Sequence, residues 1–317
     1  MVALPRTDSL TVTNIYTAYE AEASHGFRPH LGASLIGKEC ERSLWFDFRW
    51  TTRCRFTGRM LRLFETGQLE EIRLIRNLRR MGVTVLDIDP QTGRQWRVTA
   101  CNGHFGGSLD AAAMGVPEAP KSWHVCEFKT HNTASFAALR KDGVYKAKPQ
   151  HVAQMQIYMH LTGMSRALYL AVNKDTDELY SERLHADGDE ADKLLAKAER
   201  IIGSTQPLTR ISDDPTWYQC RMCSHHPVCH EGVQAERNCR TCLYTTPIEN
   251  GHWQCSANSV VLAVATQLTG CVKHLFIPDL ISGEQIDADP DAGWVEYRLS
   301  DGSLWRDGSD KTIENSR

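Results

Sequence analysis

Long hydrophobic runs are missing from this chain of 317 residues. The longest apolar stretch, VVLAVA at 260–265, is far short of the roughly 20 residues that span a bilayer as a helix, so no membrane association is expected. The opening MVALPRTDSLTVTN lacks the apolar centre of a secretory signal, and no internal repeat or low-complexity tract follows, which excludes solenoid and fibrous architectures. Net charge is scarce too, at −3, so the chain as a whole is no polycation. With 41% hydrophobic and 24% charged residues, it has the material for one large domain and an appendage.

Cysteine, by contrast, is plentiful. There are eleven, several at metal-ligand spacing, which argues for a reducing compartment rather than a disulfide scaffold; the expected location is the cytosol, its own or a host's. Charge is also present once the chain is divided. Residues 38–81 carry eleven Lys and Arg against six Asp and Glu (+5), whereas residues 275–317 carry four against ten (−6). The basic stretch holds Arg49, Arg53, Arg55 and Arg59 beside Trp45, Phe46, Phe48 and Trp50. Such arginines could grip a phosphate backbone while the aromatics either stack on bases or fill a core. The terminal DKTIENSR is expected to fray.

The stretch from His104 to Tyr158 carries the chemistry. In an extended strand alternate side chains share a face, so Glu127 and Lys129 of CEFKTH project together while Cys126 and Phe128 point the other way. Asp110 ends the strand-like GHFGGSLDAA, and a turn at 114–120 lets a hairpin return it beside Glu127. Oxygen ligands from Asp and Glu suit magnesium or manganese, an amine beside them can offset phosphate charge, and Gln154 and Tyr158 share a helix face that can meet the same spot. A third acid, Glu71, lies upstream on a predicted helix, with Glu70 adjacent.

In this order of residues the chain resembles the PD-(D/E)XK nuclease superfamily, in particular its RecB-like and phage-type exonucleases, over roughly residues 30 to 230. The resemblance implies that Glu71, Asp110 and Glu127 bind Mg2+ or Mn2+, that Lys129 assists the nucleophile and that Gln154 and Tyr158 complete the catalytic site. Leu109 stands where the motif's name has proline, and Glu71 stands where the RecB-like branch often has histidine.

Downstream, YQCRMCSHHPVCHEG sets Cys220, Cys223 and Cys229 at C-x2-C-x5-C spacing, one ligand short of a four-coordinate site, with Cys40 the best fourth. Spacing alone serves zinc and an iron–sulfur cluster equally, with His225, His226 and His230 as substitute ligands. Similarity to AddB-type and CRISPR-associated exonucleases implies a [4Fe–4S] cluster on Cys40, Cys220, Cys223 and Cys229. A second group, Cys239, Cys242, Cys255 and Cys271, resembles a zinc ribbon, with His252 and His274 in reserve.

Periodicity and turn signals predict helices over 11–24, 34–49 with Ser34 as N-cap, 59–81, 132–142, 148–162 and 187–203. VTVLDI, QWRVTA, HFGGSLDAA and SWHVCEFK read as consecutive strands, with a further pair at RALYLAVNK and ELYSERLH. The expected fold is α/β: a restriction-endonuclease-like core with a mixed central sheet flanked by helices. An N-terminal helical segment covers 1–33, the nuclease core 34–232, and a cysteine-rich appendage with an acidic tail 233–317.

The expected function is a divalent-metal-dependent deoxyribonuclease, an exonuclease processing DNA ends in recombination, repair or phage replication, with a recombinase or single-strand annealing protein as a conceivable partner. The alternatives are a structure-specific endonuclease of the same superfamily and a non-catalytic nucleic-acid-binding protein organised by its metals.

Overall fold

The computed structural model describes residues 9–23 and 27–308. Two compact units emerge, and the chain passes between them several times. Among the described residues the first contains 9–23, 54–97 and 108–186; the second contains 27–53, 98–107 and 187–308. Among the described residues no helix is long and apolar enough to cross a membrane.

The first unit is a mixed α/β layer structure. Helix α1 (Leu10–Glu22) lies against α2 (Gly58–Arg80). The approach is tight enough that a methyl group on Gly58 would sit 2.2 Å from the Tyr16 carbonyl oxygen, and the Gly58 N–H donates to Glu20 at 2.6 Å. Thr57 caps α2 through its hydroxyl, which accepts from the Met60 N–H, and Arg79 and Arg80 complement the negative end of the helix dipole. Only the C-terminal half of α2 is apolar toward the interior: Leu74, Ile75 and Leu78 are buried, whereas Phe64 and Ile72 are exposed.

Five strands form the sheet: β1 (Thr84–Leu86), β2 (Ala111–Met114), β3 (Trp123–His131), β4 (Arg166–Asn173) and β5 (Leu179–His185), in spatial order β5-β4-β3-β2-β1. β3 and β4 are parallel and the other pairs antiparallel. Parallel neighbours need a crossover, which is supplied by helices α3 (Thr133–Ala147) and α4 (Pro149–Thr162). Asn132 caps α3 by accepting from the Ser135 N–H, and Pro149, lacking an amide hydrogen, opens α4 where none is needed. Along β3 the pleat divides the chemistry. Cys126 and Phe128 join Leu74, Ile75 and Leu78 in the hydrophobic core, and the intervening Glu127 meets α4 instead.

Three expected elements fall out differently. QWRVTA and the start of HFGGSLDAA do not join the central sheet: Arg97–Ala100 and Phe105–Ser108 form a separate three-stranded sheet with Leu31–Gly32. Asp110 therefore lies between two strands rather than at the end of one. The helix expected over 34–49 is a 3-10 turn at Ala33–Leu35 followed by a helix at Glu41–Arg49, with Cys40, not Ser34, at its N-cap.

The second unit contains the helices Glu41–Arg49 and Gly188–Gly203, a three-stranded antiparallel sheet (Thr245–Pro247, Trp253–Cys255, Val260–Leu262) and another (Gly283–Asp289, Trp294–Leu299, Leu304–Gly308). Its core corrects the sequence-based DNA-binding expectation for Arg49. That residue is 2% exposed, and Trp45, Phe46, Phe48 and Trp50 are buried with it. The Arg49 guanidinium lies over the rings of Trp45 and Trp253 at 5.4 and 5.0 Å and donates to the carbonyls of Arg240, Thr245 and Ser204. Arg240 is buried likewise, 3.7 Å above the Trp50 ring, donating to Gln267, Phe48 O and Pro29 O. With donors committed to backbone oxygens and aromatic faces, Arg49 has no surface to offer a polyanion. Arg53, Arg55 and Arg59 are exposed, Arg53 lying 3.9 Å from Glu236.

Candidate functional site

Antiparallel pairing of β2 with β3 sets Ala111 opposite Cys126, and this register brings the preceding Asp110 alongside Glu127 and Phe128. The Phe128 N–H donates to Asp110 Oδ2 at 2.7 Å, anchoring the carboxylate that the sequence could only bring into the neighbourhood. Glu127 is fully buried. Its Oε2 accepts from Gln154 Nε2 at 3.0 Å, the same amide donates to the Tyr158 hydroxyl at 3.2 Å, and its Oε1 pairs with the Lys129 ammonium. Glu71, on α2, completes the group electrostatically; Glu70 instead pairs with Arg73 at 3.3 Å.

The charges do not balance. Burial and then the Asp110 carboxylate push Glu71 up to about 7 against the pull of Lys129. Burial likewise raises Asp110, opposed by Lys129 and the Phe128 N–H, and raises Glu127, opposed by Lys129 but reinforced by Asp110 and Glu71. Burial alone would lower Lys129, but Glu127, Asp110 and Glu71 together hold it above the ordinary lysine value, so it is an ammonium at neutral pH. Three acids thus crowd around one cation, and like charges held together in a poorly solvated place raise each other's proton affinity. Such a set has spare affinity for a further positive charge. All the donors are hard oxygens, which suits Mg2+ or Mn2+.

The thiols gather as well. Cys220 is raised by burial and then by Cys40, Cys229 and Cys223, so these four sulfurs lie within electrostatic reach of one another, with Arg42 and Arg210 beside Cys229. His225 turns its Nε2 to Asp47 at 3.1 Å. In the second group, Cys239 is raised by burial and then by Cys242, Cys271 and Cys255. Cys242 is raised by burial but lowered by the backbone N–H groups of Tyr244 and Leu275 and by Thr245, donors aimed at its sulfur. His274 is buried and pushed down to about 4, with Nε2 on the Asn238 carbonyl at 3.0 Å. As the side chains stand, no three His, Cys, Asp or Glu groups among the described residues converge into a set that could hold a metal ion.

Reading the sequence for acids and thiols overlooked a neighbouring polar cluster: His131, His151, Tyr169, Ser135 and Lys148. Its signal was present, since His131 shares the strand face of Glu127 and Lys129, and His151 precedes Gln154 by nearly one helical turn.

No protein-family model matches the chain, and a comparison with curated proteins finds no relative. Among solved structures, SSO0001 is similar with a TM-score of 0.43 at 13% identity, over 70% of this chain and 96% of that one. The alkaline exonuclease LHK-Exo from Laribacter hongkongensis gives 0.38 at 16% identity, over 60% of this chain and 90% of its own. A phage related exonuclease from Haemophilus somnus 129PT gives 0.32 at 15% identity, over 44% and 69%. Likeness at this level is too distant to decide activity.

Proposed function

We propose that this protein is a divalent-metal-dependent deoxyribonuclease of the PD-(D/E)XK type, acting as an exonuclease on DNA ends. One observation carries the reading: Asp110, anchored on the Phe128 N–H beside β3, and Glu127 of β3 gather with Glu71 of helix α2 around a single ammonium, Lys129. A buried charge left unpaired is costly, and an excess of carboxylate is what a hard cation relieves.

In this reading Glu71, Asp110 and Glu127 hold Mg2+ or Mn2+. When bound, the ion supplies a more acidic water and offsets charge on the scissile phosphate. Lys129, kept protonated by its acidic neighbours, donates to a phosphate oxygen rather than serving as a base. Gln154 fixes one oxygen of Glu127, and Tyr158 accepts from the amide that does so. Asp110 is held by a backbone N–H, which leaves its second oxygen for other partners. Cys40, Cys220, Cys223 and Cys229 would hold a [4Fe–4S] cluster, and Cys239, Cys242, Cys255 and Cys271 a zinc ion. Their support is the mutual proximity of the sulfurs, and either set must still draw its thiols together to close on a metal.

The test uses end-labelled linear DNA and closed circular DNA, each with Mg2+ or Mn2+. Stepwise loss of the linear substrate alone is expected. Opening of the circle would make the enzyme an endonuclease, and inertness toward both, with retained binding, would leave a nucleic-acid-binding protein.

A further inference from the structure

Beyond the acids, the two rows that carry the site continue in one direction. Glu127, Lys129 and His131 occupy alternate positions of β3, so His131 stands one strand repeat, about 6.6 Å, past Lys129 on the same face. On α4, His151, Gln154 and Tyr158 share a helix face at i, i+3 and i+7. The two rows meet at Tyr169 of β4, whose hydroxyl lies 2.9 Å from His131 Nε2 and 3.0 Å from His151 Nδ1. His131 Nδ1 in turn lies 3.0 Å from Ser135 Oγ, and Ser135 Oγ accepts from Lys148 Nζ at 2.6 Å. A continuous bridge of side chains therefore leads from the buried strand out to the half-buried Ser135 and Lys148.

The charge of this bridge is one-sided. Burial first, then nearby lysines, push His131 down to about 4 and His151 to about 3, so both imidazoles are neutral at physiological pH. Burial also raises Tyr169, which stays a neutral phenol. Lys148 is lowered by burial alone. No carboxylate among the described residues pairs with it. The acids near its elements are engaged elsewhere: Asp175 with the N–H and hydroxyl of Thr133, Asp142 with Lys146, and Glu182 with Val144 N–H and Tyr180. A half-buried ammonium without a counter-charge is costly in a free protein, and an incoming anion removes that cost.

We propose that Lys148 and Ser135, braced by His131, Tyr169 and His151, form a second phosphate seat that grips a phosphate of the DNA strand next to the one presented to Glu127 and Lys129. His131, where the brace meets β3, stands one strand repeat past Lys129, with Ser135 and then Lys148 one and two hydrogen bonds beyond it. The Lys148 ammonium has donors to spare, and the Ser135 hydroxyl adds another. This inference rests on the nuclease reading, since it takes the polyanion from it.

The experiment measures binding of a short DNA duplex to the full-length protein by fluorescence anisotropy in Ca2+, across a salt series, for wild type, Lys148→Met and Lys148→Arg. Loss of one phosphate contact lowers the slope of log affinity against log salt by about one, whatever the sequence of the DNA. The expected result is that drop, with several-fold weaker binding, in Lys148→Met and its recovery in Lys148→Arg, all three melting at similar temperatures. A neutral methylphosphonate placed one nucleotide from the cleaved bond should weaken wild type and leave Lys148→Met unaffected. If Lys148→Met does not fold, Ser135→Ala in the same methylphosphonate comparison replaces it, with reduced sensitivity expected. Unchanged salt slope and unchanged methylphosphonate sensitivity, in a protein that binds and cleaves DNA, overturn the seat and leave the nuclease reading intact. A wild type that neither binds nor cleaves DNA overturns both.

Discussion

Each unit of this molecule draws positive charge at least partly out of water, for opposite reasons. In the first, Lys129 faces three carboxylates that together exceed it; in the second, Arg49 and Arg240 face no carboxylate among the described residues and are held by carbonyl oxygens and indole rings. Burial pushes the Arg49 guanidinium down to about 10 and Arg240 down as well, the cost of desolvation without a counter-ion. A cation whose donors are met by backbone and rings ties a core together. A cation outnumbered by acids marks a place where charge balance is left for something else to complete. Proximity of charged residues to aromatics in the sequence therefore says little until their partners are known.

Substitutions at the outnumbered cation and its acids should have the largest effect. Glu127→Ala or Lys129→Ala is expected to reduce DNA cleavage by on the order of a thousandfold or more while leaving DNA binding largely intact, as followed by single-turnover degradation of labelled duplex. Magnesium-dependent cleavage that persists in either variant would remove the site assignment. At the other buried cation, Arg240→Met is expected to cost about 3 kcal/mol of stability, because Phe48 O, Pro29 O and Gln267 lose a donor in a place water cannot reach. Urea unfolding measures this, and DNA affinity of the folded fraction should not change. An Arg240→Met protein of wild-type stability would erase the contrast between the two regions.

The metals sharpen the comparison further. Anaerobically purified protein is expected to be brown, with broad absorption near about 400 nm, and Cys40→Ala should lose iron; a colourless protein containing zinc alone would overturn the cluster. A gentler probe is pH. The three acids around Lys129, Glu71, Asp110 and Glu127, have folded pKa values above their unfolded ones, about 7 against 4.5 for Glu71, so their protonated forms are favoured in the native state. Their contribution is fully present below about pH 4.5 and is lost as pH rises through 7, because the native state must then carry charges the unfolded chain carries more easily. Metal-free protein should accordingly lose thermal stability over that window, Glu127→Gln should flatten the loss, and Mn2+ should release more protons on binding at pH 6 than at pH 8. A metal-free melting temperature that climbs from pH 5 to 7 in step with these groups would contradict the crowding of acids. The smallest effect belongs to the exposed arginines: Arg55→Ala and Arg59→Ala should each weaken DNA binding only a few-fold, read from the same salt series.

Much of the first unit was legible in its sequence. Strand alternation was enough to put Glu127 and Lys129 on one side of β3 and Cys126 and Phe128 on the other, and helical spacing was enough to pair Gln154 with Tyr158. Helices α1, α2 and α4 stand close to where periodicity and turn signals place them, and α3 starts as expected but runs on to Ala147. The Gly-rich run before Asp110 was not, because its strand character gives no sign of which sheet it joins: Phe105–Ser108 pairs with Leu31–Gly32, far earlier in the chain. The aromatic-basic stretch misled for a related reason. Trp45, Arg49 and Trp50 look the same in sequence whether they face DNA or the Trp253 ring, and Trp253 lies some two hundred residues away.

What the sequence determined by itself is local: the two-residue period that aims side chains along a strand, the turns that close hairpins, and the spacing that keeps thiols within reach of one another. These follow from backbone geometry and need no distant partner. What only the tertiary structure decided is which charges are answered. Lys129 is outnumbered because register and packing bring Asp110 and Glu71 to it, Arg49 is held because remote carbonyls and rings take its terminal nitrogens, and Lys148 is left without an acid among the described residues. Desolvation and pairing are set by neighbours in space, and it is those terms that separate a structural cation from one poised to meet a phosphate.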